Sequence, residues 1–223
     1  MNQLNQLIVL ILIAITTAIT YWGFSNQFVF QRYQFQVGAI LHHKQYRRLI
    51  SSAFLHADWT HLLFNMLTLY FFSPVIIDVY GVMLYFILYF AAVLAGNLFS
   101  LWLYQKRPSY AAIGASGGVS GIIFASIALM PLSSIYLFFI PIPIPAWLFA
   151  TLYFAYSVWQ MLNPKPWDNQ GHAAHIGGAA IGIIFALLLT PNYVLANSML
   201  YLGIMLLPLL YLAYELLVNK KVR

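Results

Sequence analysis

The sequence predicts an all-α, polytopic membrane helix bundle, and three observations carry that prediction. Of 223 residues, 63% are hydrophobic and only 6% are charged, whereas soluble domains carry about a quarter charged residues. The apolar residues fall into seven runs parted by Gly, Pro and the few charges. One of these runs is too short to cross a bilayer, and it opens on a serine set among small residues.

Taken in order, Leu7 to Phe24 forms a first span. Met1 to Gln6 has no Lys or Arg and no small-residue cleavage site follows, so the segment is expected to stay as a helix and not to be removed as a signal peptide. Ser25 to Thr60 mixes Arg32, His42, His43, Lys44, Arg47 and Arg48 with aromatics such as Phe28, Phe30, Tyr33, Phe35 and Tyr46. That mixture suits an interfacial loop, with rings at headgroup level and cations near phosphates. Its length hints at function, because structureless loops beyond about 15 residues are uncommon.

His61 to Tyr80 is the second span, and Gly81 turns directly into the third, Val82 to Tyr104, so the two are antiparallel neighbours. Lys106, Arg107 and Pro108 lead into the fourth, Gly117 to Met130. With about 14 residues it measures roughly 21 Å, against a hydrocarbon core of roughly 30 Å. Its Ser116 end must then stop inside the membrane, where non-helical backbone survives only beside protein or a wet cavity. Ile140 to Pro145 alternates Ile and Pro and cannot be helical, since each Pro lacks an N–H and biases its predecessor to extended geometry. Pro145 can still begin a fifth helix ending near Leu162. Asn163 to Gln170 is a polar connector, Gly171 to Thr190 the sixth span, and Ser198 to Val218 a seventh, interrupted by Pro208. The expected organisation is one membrane domain over residues 1–223, with a six-helix core over 1–190 and an extra helix and basic tail over 191–223.

The net charge of +6 comes from few residues confined to loops and the C-terminus. It points to anionic lipid headgroups and not to nucleic acid. The absence of cysteine excludes disulfides, thiolate metal sites and a cysteine nucleophile.

Three polar clusters converge once the spans are counted. His61 starts span two, Ser116 starts span four and His175 lies about one turn inside span six. Even-numbered helices run the same way, so all three open on one membrane face at similar depth. A serine becomes a nucleophile when a base within hydrogen-bond reach takes its proton, and neutral imidazole is well matched near pH 7. Gly178 and Gly182, four apart, would let span six approach the small-residue face of span four. His61 and Asn65, also four apart, share a helix face and can both donate hydrogen bonds. Together with the Ser116 amide they could stabilise the oxyanion of an acyl-transfer intermediate. Blander readings stand beside these: Gly117 and Gly121 as a packing motif, His175 as a histidine satisfied by backbone, His61 as an interfacial residue and Asn65 as an interhelical hydrogen bond.

The four acids are Asp58, Asp78, Asp168 and Glu215. None sits mid-span in the first six helices, so a Ser-His dyad is more economical than a triad, with Asp168 the only acid near His175 in sequence. The same scarcity weighs against proton pumps and cation transporters. His-Glu-x-x-His is absent, and zinc on His56, His61, His172 and His175 would lack a carboxylate or thiolate partner. No metal or other cofactor is expected.

Gly114-Ala115-Ser116-Gly117, His61-Leu62-Leu63-Phe64-Asn65 and Ala174-His175-Ile176-Gly177-Gly178 together resemble the G-x-S-G, H-x-x-x-N and A-H-x-x-G motifs of the rhomboid family of intramembrane serine proteases. Their order and spacing agree, and the resemblance runs from about Tyr46 to Thr190. It implies Ser116 as nucleophile, His175 as base, and His61, Asn65 and the Ser116 amide as oxyanion donors. Arg48 looks like the arginine of the family's W-R motif, with Arg47 where the tryptophan would be. Ser120 falls where many relatives carry an aromatic beside the catalytic histidine, which leaves the orientation of that ring open. The seventh span corresponds to a six-plus-one arrangement.

The resemblance implies hydrolysis of peptide bonds in or near transmembrane segments of other membrane proteins, which with membrane lipids are the expected partners. The rival is a non-catalytic relative that binds membrane clients and guides their turnover. A multi-pass protein of a bacterial cytoplasmic membrane, with its active site facing outward, is the expected setting. The positive-inside rule predicts the opposite orientation.

Overall fold

The computed structural model describes residues 3–137, 140–163 and 171–219. Helix α1 (Gln3–Ser25) buries Val9, Leu12, Thr16 and Thr20. Their three- and four-residue spacing makes one stripe. Leu7, Leu10, Ile11 and Ile15 face outward, as apolar side chains do when the surroundings are lipid.

The segment after α1 is folded, which corrects its reading as a loop. Asn26 caps α2 (Gln27–Tyr33) by accepting from the amides of Phe28 and Val29. Strand β1 (Phe35–Gln36) pairs antiparallel with β2 (Ala111–Ala112), aligning Phe35 with Ala112 and Gln36 with Ala111. Short helices α3 (Val37–Leu41) and α4 (Arg48–Ser51) and a 3₁₀ turn (Ser52–Phe54) follow. Phe35, Val37, Ile40 and Leu49 form a small core of their own, against which Tyr104 and Tyr110 pack. Arg48 is buried and donates through Nε to Gln45 Oε1 and through Nη1 to the carbonyls of Gln31 and Gln34, each at 2.7 Å. One guanidinium thus ties three parts of the segment together.

Helix α5 (Trp59–Leu103) is folded at Gly81, whose φ of 81° and ψ of 168° are non-helical. Only glycine adopts that geometry without strain. Ser73 donates to the Tyr85 hydroxyl at 3.0 Å across this bend. Twelve residues of straight helix would hold those side chains about 18 Å apart, so residues 59–80 and 82–103 fold back as antiparallel neighbours. Each half is about 33 Å long at 1.5 Å per residue, enough to cross a bilayer.

Helix α6 (Ser116–Leu129) has 14 residues and is buried from Gly117 to Leu129. It lies between α5 and α8 (His172–Leu189). The small residues make that fit: a Cβ on Gly178 or Gly182 would run into the carbonyl oxygens of Gly117 and Gly121. Ser134–Leu137 (β3) and Ile140–Pro145 (β4) form an antiparallel ribbon, so the Ile-Pro alternation is extended as expected. Helix α7 (Ala146–Leu162) follows directly. After α9 (Pro191–Asn197), α10 (Met199–Leu217) runs unbroken through Pro208 and packs on α7, where Trp147 and Tyr201 meet at 5.9 Å. The expected interruption at Pro208 does not occur.

Among the described residues, Asn5–Ser25, Trp59–Leu103, His172–Leu189 and Met199–Leu217 are long and apolar enough to cross a membrane. With α5 folded in two and α6 sheltered at the centre, the chain is an all-α, multi-pass membrane bundle.

Candidate active site

The N-terminus of α6 is held by two loops that converge on it. The Gly114 amide donates to the Ser52 carbonyl at 3.0 Å, and the Ala115 amide donates to His56 Nε2 at 3.3 Å. Ser52 is fixed in turn by Asn97, whose Nδ2 donates to Ser52 Oγ at 3.1 Å and to the Leu49 carbonyl at 2.8 Å. Gly114 has a φ of 124°, in the region that favours glycine. The first turn of α6 then opens toward Ser116 with amides that have no acceptor inside the helix.

His175 lies one turn into α8, its amide bonded to the Gly171 carbonyl at 3.1 Å. Its Nε2 stands 2.7 Å from Ser116 Oγ. His175 is buried while Ser116 remains half-buried. The pair is therefore sheltered on the His175 side and partly accessible on the Ser116 side. Packing and hydrogen bonding are not competing explanations here, because the contacts of Gly178 and Gly182 bring α8 close enough for the hydrogen bond to form.

His61 joins this pair. Asp58 caps α5 by accepting from the His61 amide at 2.8 Å, which fixes the helix start. A Cβ built on Gly114 would lie 2.7 Å from His61 Cε1, 2.8 Å from His61 Nε2 and 3.6 Å from Ser116 Oγ. The His61 ring edge and the Ser116 hydroxyl thus flank the bare face of one glycine. Asn65 is buried one turn further on and donates from Nδ2 to the His61 carbonyl at 3.1 Å. That bond stays within α5 and uses one of the two amide hydrogens.

Two residues stand at the site in places that the sequence does not reveal. His56 is fully buried, and its ring meets that of His61 edge-on at 5.0 Å. Its Nδ1 pairs with Thr20 Oγ1 at 2.9 Å, and Thr20 donates to the Phe54 carbonyl at 2.9 Å. Accepting from Ala115 through Nε2 requires a neutral ring. Burial first, and repulsion from His61 second, lower its pKa to about 3, with Asp58 opposing. His56 lies between the 3₁₀ turn and α5, outside any helix, where helical spacing carries no signal. The other is Tyr153 of α7, whose ring lies 5.8 Å from that of His175 at 31° and whose hydroxyl is 3.2 Å from Ser120 Oγ.

Asp58 serves as a helix cap, and Glu215 accepts from Asn219 at 3.0 Å on α10. Asp168 lies outside the described residues.

A sequence model of the rhomboid domain matches residues 43–192. The chain belongs to the rhomboid family. This rhomboid is 35% identical over 142 residues to Rhomboid protein 1, mitochondrial, of Saccharomyces cerevisiae, a match that covers 61% of this chain and 40% of the yeast protein. It is 33% identical over 151 residues to RHOMBOID-like protein 12, mitochondrial, of Arabidopsis thaliana, covering 61% of this chain and 44% of that one. A shorter match, 34% identical over 76 residues, covers 34% of this rhomboid and 37% of a Bacillus subtilis protein named as a candidate rhomboid protease. The matched stretch therefore spans less than half the length of each of these relatives. The organelle names carried by the first two do not support the bacterial cytoplasmic membrane expected from the sequence.

Proposed function

We propose that this rhomboid is a serine endopeptidase that hydrolyses peptide bonds in or near transmembrane segments of other membrane proteins. The observation that carries the reading is the 2.7 Å approach of Ser116 Oγ to His175 Nε2. With Nε2 unprotonated, the serine O–H donates to it, and as Oγ attacks a substrate carbonyl its proton passes to the imidazole. The oxyanion that forms is met by the Ser116 amide at the positive end of α6, by His61 and by the second amide hydrogen of Asn65. Collapse expels the new N-terminal amine, which takes the proton from His175. A water that gives its proton to the same nitrogen then cleaves the acyl ester and restores the serine. Substrate segments must unwind at the cut site, because a regular helix hides its carbonyls.

Membrane lipids are the second class of partner in this reading. Arg32, Arg47 and Arg48 line a cavity of about 630 Å³ in the segment between α1 and α5, where anionic headgroups would lie. The alternative, a non-catalytic binder of membrane clients, gives no reason to keep a serine and an imidazole at hydrogen-bond distance.

Labelling with a fluorophosphonate serine probe in membranes tests the reading. The native chain should be labelled and should cleave a model transmembrane substrate, whereas Ser116→Ala and His175→Ala should do neither and still fold. The double variant should be no worse than either single one, since members of one catalytic unit are non-additive. Substantial cleavage by Ser116→Ala would refute it.

A further inference from the structure

We propose that Tyr153 of α7 is a positioning residue for His175; this rests on the hydrolase reading above. An imidazole near the start of a helix can turn about two side-chain bonds, and only one orientation presents Nε2 to Ser116. On its own helix, His175 is met by the His172 ring edge-on at 5.7 Å and 77°. An edge-on contact of that kind restricts rotation of the imidazole. Tyr153 adds a second ring from across the helix interface, 5.8 Å away and tilted by 31°.

Tyr153 is itself immobilised. Phe124 of α6 and Phe149 of its own helix pack on it at 5.8 and 6.1 Å, and its hydroxyl meets Ser120 Oγ at 3.2 Å. Ser120 is four residues after the nucleophile on α6, so one turn of that helix carries both the attacking hydroxyl and the anchor of the ring that faces the base. A small residue at 120 leaves the room that Tyr153 occupies from across the interface. The ring has a second effect. During attack His175 becomes a cation, and an aromatic ring within about 6 Å attracts a cation more than a neutral ring. Stabilisation that appears only as charge develops raises turnover without tightening substrate binding.

The test compares Tyr153→Phe, Tyr153→Leu and the double variant Tyr153→Leu with Ser120→Phe, each full-length in proteoliposomes. Turnover of a transmembrane substrate is normalised to the fraction labelled by the fluorophosphonate probe. Tyr153→Leu should lower kcat about tenfold, the scale of one lost aromatic contact, with KM within about twofold. Tyr153→Phe, which keeps the ring, should retain at least about a third of native kcat. Ser120→Phe should restore most of the loss in the Leu background by supplying a ring from the other side of the contact. Tyr153→Met provides the same comparison if the Leu variant does not assemble. Native kcat in Tyr153→Leu or Tyr153→Met, an equal loss in Tyr153→Phe, or a change in KM alone would overturn the proposal while leaving the hydrolase reading intact. A native chain that is never labelled at Ser116 would overturn both.

Discussion

Ser116 Oγ and His175 Nε2 stand 2.7 Å apart across 59 residues of sequence, and what brings them together is the absence of side chains about one and two turns further along α8. Gly182 abuts the Gly121 carbonyl and Gly178 the Gly117 carbonyl, with no room for a Cβ at either. Gly182→Ala should therefore push α8 from α6, destabilise the protein by about 1–3 kcal/mol as overpacking does, and slow probe labelling of Ser116 although residue 182 does not touch the site. Gly203→Ala is the control, with nothing within 4 Å of a Cβ built there. It should be neutral or stabilising by about 0.5–1 kcal/mol. Thermal unfolding in detergent and labelling rates read both, and similar behaviour of the two variants would remove close helix packing as the cause of the Ser116–His175 geometry.

Asn65 already has one amide hydrogen on the His61 carbonyl at 3.1 Å. If the second serves the oxyanion, Asn65→Ala should lower kcat by roughly 10²- to 10³-fold with KM little changed, the range measured when one such donor is removed. Normal turnover with a lowered unfolding temperature would show instead that Asn65 only steadies the start of α5.

Much of this site is legible in the sequence because polar residues are costly inside apolar spans and so stand out there. Ser116, His61 and His175 could be aligned by counting spans, the shortness of α6 follows from its length alone, and Gly178 and Gly182 announce close packing by their spacing. The folded segment between α1 and α5 was not legible, because Val37–Leu41 and Arg48–Ser51 are too short to show a helical period and β1 and β2 are two residues each. Tyr153 was hidden for the opposite reason: one tyrosine in an aromatic-rich apolar helix looks like lipid-facing or core packing until its neighbours are known. The helix continues through Pro208, because helices of a membrane bundle tolerate proline.

The neutral ring of His56 links site geometry to acidity. Its folded pKa is about 3 against an ordinary 6.5, so between those values the unfolded chain binds a proton that the folded chain does not. Stability therefore rises with pH through that window and is lost as pH falls, by at most about 1.4 kcal/mol per unit. From pH 7 to pH 5 the native protein should lose roughly 2 kcal/mol more than His56→Gln, whose neutral amide can still accept from the Ala115 N–H. Unfolding in detergent at both pH values decides it, and parallel losses would show that His56 titrates normally or not at all.

Charge and family resemblance disagree on the orientation of the chain in the membrane. If the active-site face lies outside and the chain crosses seven times, every Lys and Arg lies outside with it, contrary to the positive-inside rule. Arg48 weakens that objection, because its guanidinium is buried on three acceptors of the folded segment and is part of a folded unit, not a free charge beside a span. Arg47 and Arg32 lie against Tyr33 and Phe28 at 5.9 and 5.5 Å, which keeps them in the same unit. Helix α10, with 19 residues, is about 28 Å long and able to cross. Reporters active only outside or only in the cytoplasm, fused after Arg223 and within residues 163–170, should both read outside. Cytoplasmic signal at both positions would reverse the assigned orientation, whereas cytoplasmic signal after Arg223 alone would mean that α10 lies along the bundle without crossing.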